Sequence, residues 1–209
     1  MQTIIPMRQQ VANNSYNNDW FKKEIGASKL KQLAWYIVNV LFFINPLNPV
    51  SGMKKTLLRW FGARIGVGVV IKPGVNIKYP WKLEIGDHTW IGEKVWIDNL
   101  APVRIGRSAC LSQGAMLLTG NHDYTKTTFD LVVKEIVLEE GVWIGAMSMV
   151  CPGVTCASHA VLAAASVATA PLEAYGIYRG NPATLVRTRT IHPTTPGAKN
   201  EDIDHYSNL

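Results

Sequence analysis

Hydrophobic positions return every six residues over most of this chain. From Ile65 the series runs Ile65, Ile71, Ile77; Ile85, Ile91, Ile97; Ile105, Leu111, Leu117. After one long break it resumes as Leu138, Ile144, Val150, Cys156, Leu162 and Ala168. Thirteen of these fifteen positions are Val, Ile or Leu, so the period is a real constraint. A helix repeats its apolar face at about 3.6 residues and a half-buried strand at two, so neither explains a period of six. A short strand followed by a tight corner does. Small or β-branched residues recur four places after the lead, among them Val69, Thr89, Ala115 and Ser148. Gly follows the lead directly (Gly66, Gly86, Gly145) or two residues later still (Gly68, Gly114, Gly153), where it relieves the backbone at a corner.

The slips in the period show how the sides close. The steps from Ile77 to Ile85 and from Ile97 to Ile105 are longer than six, and each follows a third hexapeptide. Three sides therefore make one turn, and the chain is predicted to be an all-β solenoid, a parallel β-helix of about five triangular coils. At ~4.8 Å per stacked strand the prism stands roughly 24 Å high, with inward aliphatic ladders as its core. The predicted organisation is a tail over 1–18, a helical cap over 19–62, and the β-helix over 63–175 with an excursion loop at 118–137. A C-terminal segment over 176–191 and a second tail over 192–209 complete it. Insertions in a solenoid map to one face and often bind ligands, so the loop that begins Leu118-Thr119-Gly120-Asn121-His122-Asp123-Tyr124 is where chemistry is expected.

Before the prism, Ser28 is placed to cap a helix carrying Leu30, Leu33, Ala34, Ile37, Val38 and Leu41 on one side, and Ser51 to cap a second one ending at Gly62. The favoured reading is a lid over the first coil, because an open solenoid end must be covered. The alternative is peripheral contact with a membrane through residues 28–50. The most apolar run, Leu33 to Ile44, is well short of the ~20 residues that span a bilayer.

Composition narrows the function classes. The net charge is +6, but Lys and Arg are scattered singly or in pairs without interleaved aromatics, which argues against nucleic acid. A phosphorylated small molecule would use the same surplus. Cys110, Cys151 and Cys156 have no CxxC spacing and suit buried thiols in a reducing cytoplasm. No signal-like segment opens the sequence, so a cytoplasmic location, with membrane-peripheral as the variant, is expected.

Three segments carry a resemblance: Gly120-Asn121-His122-Asp123-Tyr124, Gly141-Val142-Trp143-Ile144-Gly145-Ala146 and Gly180-Asn181-Pro182-Ala183. In this order and spacing the chain resembles the hexapeptide-repeat acyltransferases, nearest to the colanic acid biosynthesis acetyltransferase group, over about Tyr16 to Arg189. The resemblance implies a left-handed coil. It also implies O-acetylation of a sugar or polysaccharide hydroxyl by acetyl-CoA, with no metal, in a homotrimer whose active sites lie between subunits.

Site residues follow from matching positions. His122 is the expected general base, since a sugar hydroxyl must lose its proton during attack and an imidazole titrates near the working pH. Asp98, Asn99, Asp123 and Tyr124 are expected around the acceptor. Asp98-Asn99 reads equally well as a coil-corner turn, and Asp123 as a group that orients His122. Trp143, Ala146, Ala164 and Thr169 are expected along CoA, with Arg179, Arg187 and Arg189 on its phosphates. Ala170 and Thr184 stand where the family often has basic residues, which bears on CoA affinity. Two other readings remain: a zinc-dependent carbonic-anhydrase-like trimer, for which His88 and His159 lie far apart, and a non-catalytic assembly protein.

Overall fold

The computed structural model describes residues 10–12 and 19–193, so most of both predicted tails lies outside the described residues. Within the prism every lead residue points inward. Leads from Ile71 to Ala168 and their partners four places on, such as Val75, Ala115 and Ser166, are buried to within 2% of complete. The chain is a left-handed parallel β-helix whose three sheets are its three faces.

The first face stacks Arg64–Ile65, Leu83–Ile85, Val103–Ile105, Ile136–Leu138 and Thr155–Cys156. The second stacks Val70–Ile71, Trp90–Ile91, Cys110–Leu111, Trp143–Ile144 and Val161–Leu162, and the third Asn76–Ile77, Trp96–Asp98, Met116–Leu118, Met149–Val150 and Val167–Ala168. All these pairings are parallel and join a lead to the lead one coil away, as Ile85 to Ile105. Five coils are complete. A sixth adds two sides, Leu172 bridging Cys156 and the strand Gly176–Gly180 beside Val161–Leu162, so the helix continues past the expected end at 175. The segment expected as a plain C-terminal extension folds back as Ala183–Thr188, antiparallel to Gly176–Gly180.

The glycines serve two different needs. Three places after a lead the backbone turns left-handed at Gly68, Gly114 and Gly153, but also at His88, Lys94 and Ala165, so the corner tolerates other residues. Directly after a lead the constraint is the next coil. A Cβ on Gly86 would lie 2.5 Å from the Arg107 amide nitrogen, and one on Gly145 2.6 Å from that of Ala164. Only Gly fits there, because close approach and not φ excludes a side chain.

The N-terminal layer contains α1 (Asp19–Lys23), α2 (Lys29–Val38), a π-helical continuation (Asn39–Ile44) and α3 (Ser51–Trp60). Ser28 Oγ accepts from the Lys31 amide, as expected of its cap. The layer does cover the first coil, but with a different side of the helix. Trp35, Asn39 and Phe43 are buried against the prism, whereas Leu30, Leu33, Ile37 and Leu41 are exposed. The docking side was decided by polar groups. The first coil has no strand below it, and its free backbone groups need partners. Trp35 Nε1 donates to the Ile77 carbonyl at 2.8 Å, and Ser51 Oγ accepts from the Ile71 amide at 2.9 Å. Lys54 Nζ donates to the Lys72 carbonyl at 2.9 Å and Arg59 to that of Ile65 at 2.8 Å. Lys54 is fully buried, and desolvation lowers its pKa. Each of the three open edges thus has a side-chain partner.

Cys156 is a lead of the fifth coil, and burial pushes its thiol up to about 12, far from a reactive thiolate. Gly145→Ala is expected to destabilise the fold by about 1–3 kcal/mol, the usual cost of overpacking, while Lys94→Gly at a left-handed corner leaves the melting temperature within a few degrees. Thermal melts of the two variants check this; equal effects would mean that corner strain, not coil-to-coil contact, selects glycine.

Candidate active site

The excursion leaves the third face after Leu118 and returns to the first at Ile136. It is a hairpin arm. Gly120–His122 pairs antiparallel with Leu131–Val133, His122 standing opposite Leu131. Residues 10–12, within the expected tail, reach this arm, Ala12 N donating to the Thr127 carbonyl at 2.9 Å.

His122 is held by Phe129, not by Asp123. Its ring stacks on the Phe129 ring with centroids 4.4 Å apart and planes within 5°. Its Nδ1 lies 2.9 Å from the Phe129 carbonyl oxygen. A carbonyl only accepts, so Nδ1 is the donor of this contact, and in the neutral ring the lone pair then lies on Nε2. Asp123 instead accepts from the amide and hydroxyl of Thr125, and its Oδ2 lies 3.6 Å from Lys126 Nζ. Those bonds, with Lys126 as a smaller cause, hold its carboxyl below the usual range. Asp123 therefore shapes the hairpin tip. Tyr124 beside it is 79% exposed and available to a ligand.

Asp98 and Asn99 part company. Asn99 is fully buried; its Oδ1 accepts from the Tyr79 amide at 2.9 Å and its Nδ2 donates to the Tyr79 carbonyl at 2.6 Å. It clamps one coil to the next and has no surface to offer an acceptor, which corrects the expected role and favours the turn reading. Asp98 lies in register with Leu118, at the root of the arm. Its Oδ1 is buried and 2.8 Å from Lys78 Nζ, a charge contact without hydrogen-bond alignment. Burial, and then the charge of Asp98, raise the pKa of Tyr79. Asp98 and Lys78 lie at the corner between the third and first faces, from which the arm of His122 departs.

Most of the residues expected along CoA stand elsewhere. Trp143 is on the second face with its Nε1 donating to Ser112 Oγ at 2.9 Å. Thr169, directly after Ala168, lies in the column of Asp98 and Leu118 at the root of the arm, whereas Ala146 and Ala164 lie at the corner between the second and third faces. One triangular side, roughly 15–20 Å at ~3.3 Å per residue, separates this corner from the root of the His122 arm. The three arginines do not gather. Arg179 is exposed at the end of Gly176–Gly180 nearest Ala164, whereas Arg187 pairs with Ile177 further along the hairpin. Arg189 is already bound to the Gly141 and His159 carbonyls at 3.0 and 3.1 Å, so its position is structural. Among the described residues no three His, Cys, Asp or Glu stand together as a metal site; His159 bonds Ser158 Oγ and stacks on Tyr175.

No family profile matches the chain. Against curated proteins, it is 37% identical over 164 residues to the "Putative colanic acid biosynthesis acetyltransferase WcaF" of Escherichia coli, spanning 78% of this chain and 90% of that one. The chain belongs to the hexapeptide-repeat acetyltransferases. The galactoside O-acetyltransferase of E. coli is 23% identical over 137 residues, covering 64% of this chain and 68% of that one. Among solved structures, a hexapeptide-repeat acetyltransferase of Vibrio cholerae superposes with a TM-score of 0.72 at 24% identity, covering 81% of this chain and 99% of that chain. A galactoside acetyltransferase in complex with coenzyme A superposes with a TM-score of 0.68 at 20% identity, covering 77% and 82%.

Two features of this acetyltransferase escaped the sequence reading: Phe129 as the anchor of His122, and Lys78 beside Asp98. The run Leu131-Val132-Val133 was the available signal for the first, since a short apolar strand after the loop can pair back on Gly120–His122. In Asp123→Asn the Nδ1–H tautomer of His122 is expected to persist, while Phe129→Ala, which removes the stacked ring, mixes the two tautomers. Imidazole nitrogen NMR shifts read this directly, and an Nε2–H tautomer in the unaltered protein would exclude the arrangement.

Proposed function

We propose that this acetyltransferase transfers the acetyl group of acetyl-CoA to a hydroxyl of a sugar or polysaccharide precursor, with His122 as general base. The observation that carries the reading is the Nδ1 contact of His122 with the Phe129 carbonyl, which leaves Nε2 as the proton acceptor. Nε2 takes the hydroxyl proton as the oxygen attacks the thioester carbonyl. The tetrahedral intermediate collapses, the C–S bond breaks, and the CoA thiolate leaves with the proton returned by His122. No covalent acyl-enzyme is needed. The relatives named as O-acetyltransferases, and the related structures holding acetyl-CoA or CoA, support this class of reaction.

The acceptor would lie at the corner of Asp98 and the arm, with Tyr124 alongside. CoA would run past Trp143, Ala146, Ala164 and Thr169, with Arg179 the best placed of the arginines for a phosphate. Thr169 shares the corner of Asp98 and the arm, but Ala146 and Ala164 stand one corner away, so we take the active site to be completed by a neighbouring copy. A homotrimer fits the outer surface of the prism. The second face presents Trp90, Cys110 and Trp143, and the third Trp96, Met116 and Met149, whereas the first presents Arg64, Glu84 and Arg104. Copies would meet through the two apolar faces and leave the charged one in water. Three free thiols fit a reducing cytoplasm.

A thiol-release assay with acetyl-CoA across a panel of sugars and oligosaccharides tests the reaction. His122→Ala is expected to lower transfer by ~10²–10⁴-fold with assembly unchanged, the usual worth of a general base. CoA, and not zinc, is expected to raise the melting temperature. Near-normal turnover in the variant would remove His122 from the mechanism, and zinc protection without CoA protection would remove the acetyl-CoA reading.

A further inference from the structure

Among the described residues, the N-terminal layer leaves an apolar stripe with nothing on it. Leu30, Leu33, Ile37, Leu41 and Ile44 are each at least 40% exposed, reaching 76% at Leu30. On a helix these positions lie opposite Trp35, Asn39 and Phe43, which face the prism. The stripe extends for roughly 20 Å at ~1.5 Å per residue. It continues into the following turn at Leu47, 86% exposed. Its direction is settled by hydrogen bonding. Coils bond to one another along the prism axis, so the Trp35 and Asn39 side chains that bond the carbonyl and amide of Ile77 on the open edge approach along that axis. The opposite side of the helix therefore points away from the end of the prism, where copies packed side by side do not reach.

Charge identifies what this end faces. Between Ile25 and Leu83 the sequence contains nine Lys and Arg and no Asp or Glu. The rest of the chain holds twelve cations against fifteen acids, so the whole positive surplus belongs to this end. Lys54 is buried and Arg64 and Lys78 are paired with Glu84 and Asp98, but Lys29 is exposed beside the stripe and Lys55 is half-exposed on α3. Trp60, at the end of α3, is 76% exposed. An apolar strip with Lys29 beside it, on an end that also carries Lys55 and an exposed Trp60, has the composition of a surface lying in a bilayer interface. No helix among the described residues is long and apolar enough to cross a membrane.

We propose that the N-terminal end of the prism docks on an anionic membrane surface, α2 and its π-helical continuation lying flat with Leu33, Ile37, Leu41 and Ile44 in the headgroup layer. In the proposed trimer three such stripes point the same way, so weak single contacts add as avidity. The site of acetyl transfer, two to three coils higher, stands roughly 10–15 Å above the first coil at ~4.8 Å per coil, with the helical layer between that coil and the surface.

Co-sedimentation of the full chain with vesicles of phosphatidylcholine alone, or with added phosphatidylglycerol, tests this. Binding is expected only to the anionic vesicles, weakened by salt, with a blue shift of Trp fluorescence that Trp60→Phe reduces. Lys29→Gln is expected to weaken it about fivefold, one interfacial cation's worth. Ile37→Asp/Leu41→Asp is expected to weaken it at least tenfold with an unchanged thermal melt. If that variant does not fold, Lys29→Gln and the salt titration of the unaltered protein decide. Absence of binding to both vesicle types, or equal binding to both, would overturn the proposal. So would end-to-end pairing of trimers that the double substitution disperses, because the stripe would then cover a second copy.

Discussion

A parallel β-helix is held together by strands that each need a neighbour above and below, and its ends have none. Among the described residues, the layers at both ends of the prism answer that constraint. Below the first coil, Trp35, Ser51, Lys54 and Arg59 bond one open edge after another with their side chains. A buried lysine is costly unless its charge is bonded, and Lys54 has lost part of its proton affinity in doing so. Above the fifth coil the chain closes by another route, adding Leu172 and Gly176–Gly180 as partial sixth sides and folding Ala183–Thr188 back over the last strand.

The same stacking positions the chemistry. A coil cannot bend to gather residues from two corners, because close approach at Gly86 and Gly145 keeps successive coils in register. Reactive groups are displayed instead at fixed corners, and the only large departure from the period is the arm that carries His122. Its imidazole is oriented from within that arm, by the ring and carbonyl of Phe129, so its placement does not depend on the rest of the site. The Trp143 and Ala164 corner stays a side away. In such a molecule a complete site is most simply made by juxtaposing two copies.

How much of this could be read beforehand follows from the kind of interaction involved. Inward leads were legible because burial allows only apolar or small residues, and the six-residue step repeats that demand. The sixth coil was not, since Leu172 comes four residues after Ala168 and breaks the step. The lid was foreseen but turned over: α2 is apolar on both sides, and pattern alone cannot distinguish Leu33 and Ile37 from Trp35 and Phe43. The decision rests on the indole N–H of Trp35 and the amide of Asn39. The His122 loop was visible as an interruption, but its anchor is a backbone carbonyl, which every residue has. Asn99 illustrates the reverse error, a polar residue near the site that spends its whole amide on Tyr79.

Subunit complementation addresses the central claim most directly. His122→Ala and Ala164→Trp, the second filling the proposed CoA path, are each expected to abolish transfer on their own. Refolded or co-expressed together, they place an intact His122 arm from one copy against an intact Ala164 corner from another in some interfaces. Recovery of a substantial fraction of activity in the mixed assemblies is the predicted result. Mixed trimers that form but remain inactive would contradict a site shared between neighbouring prisms.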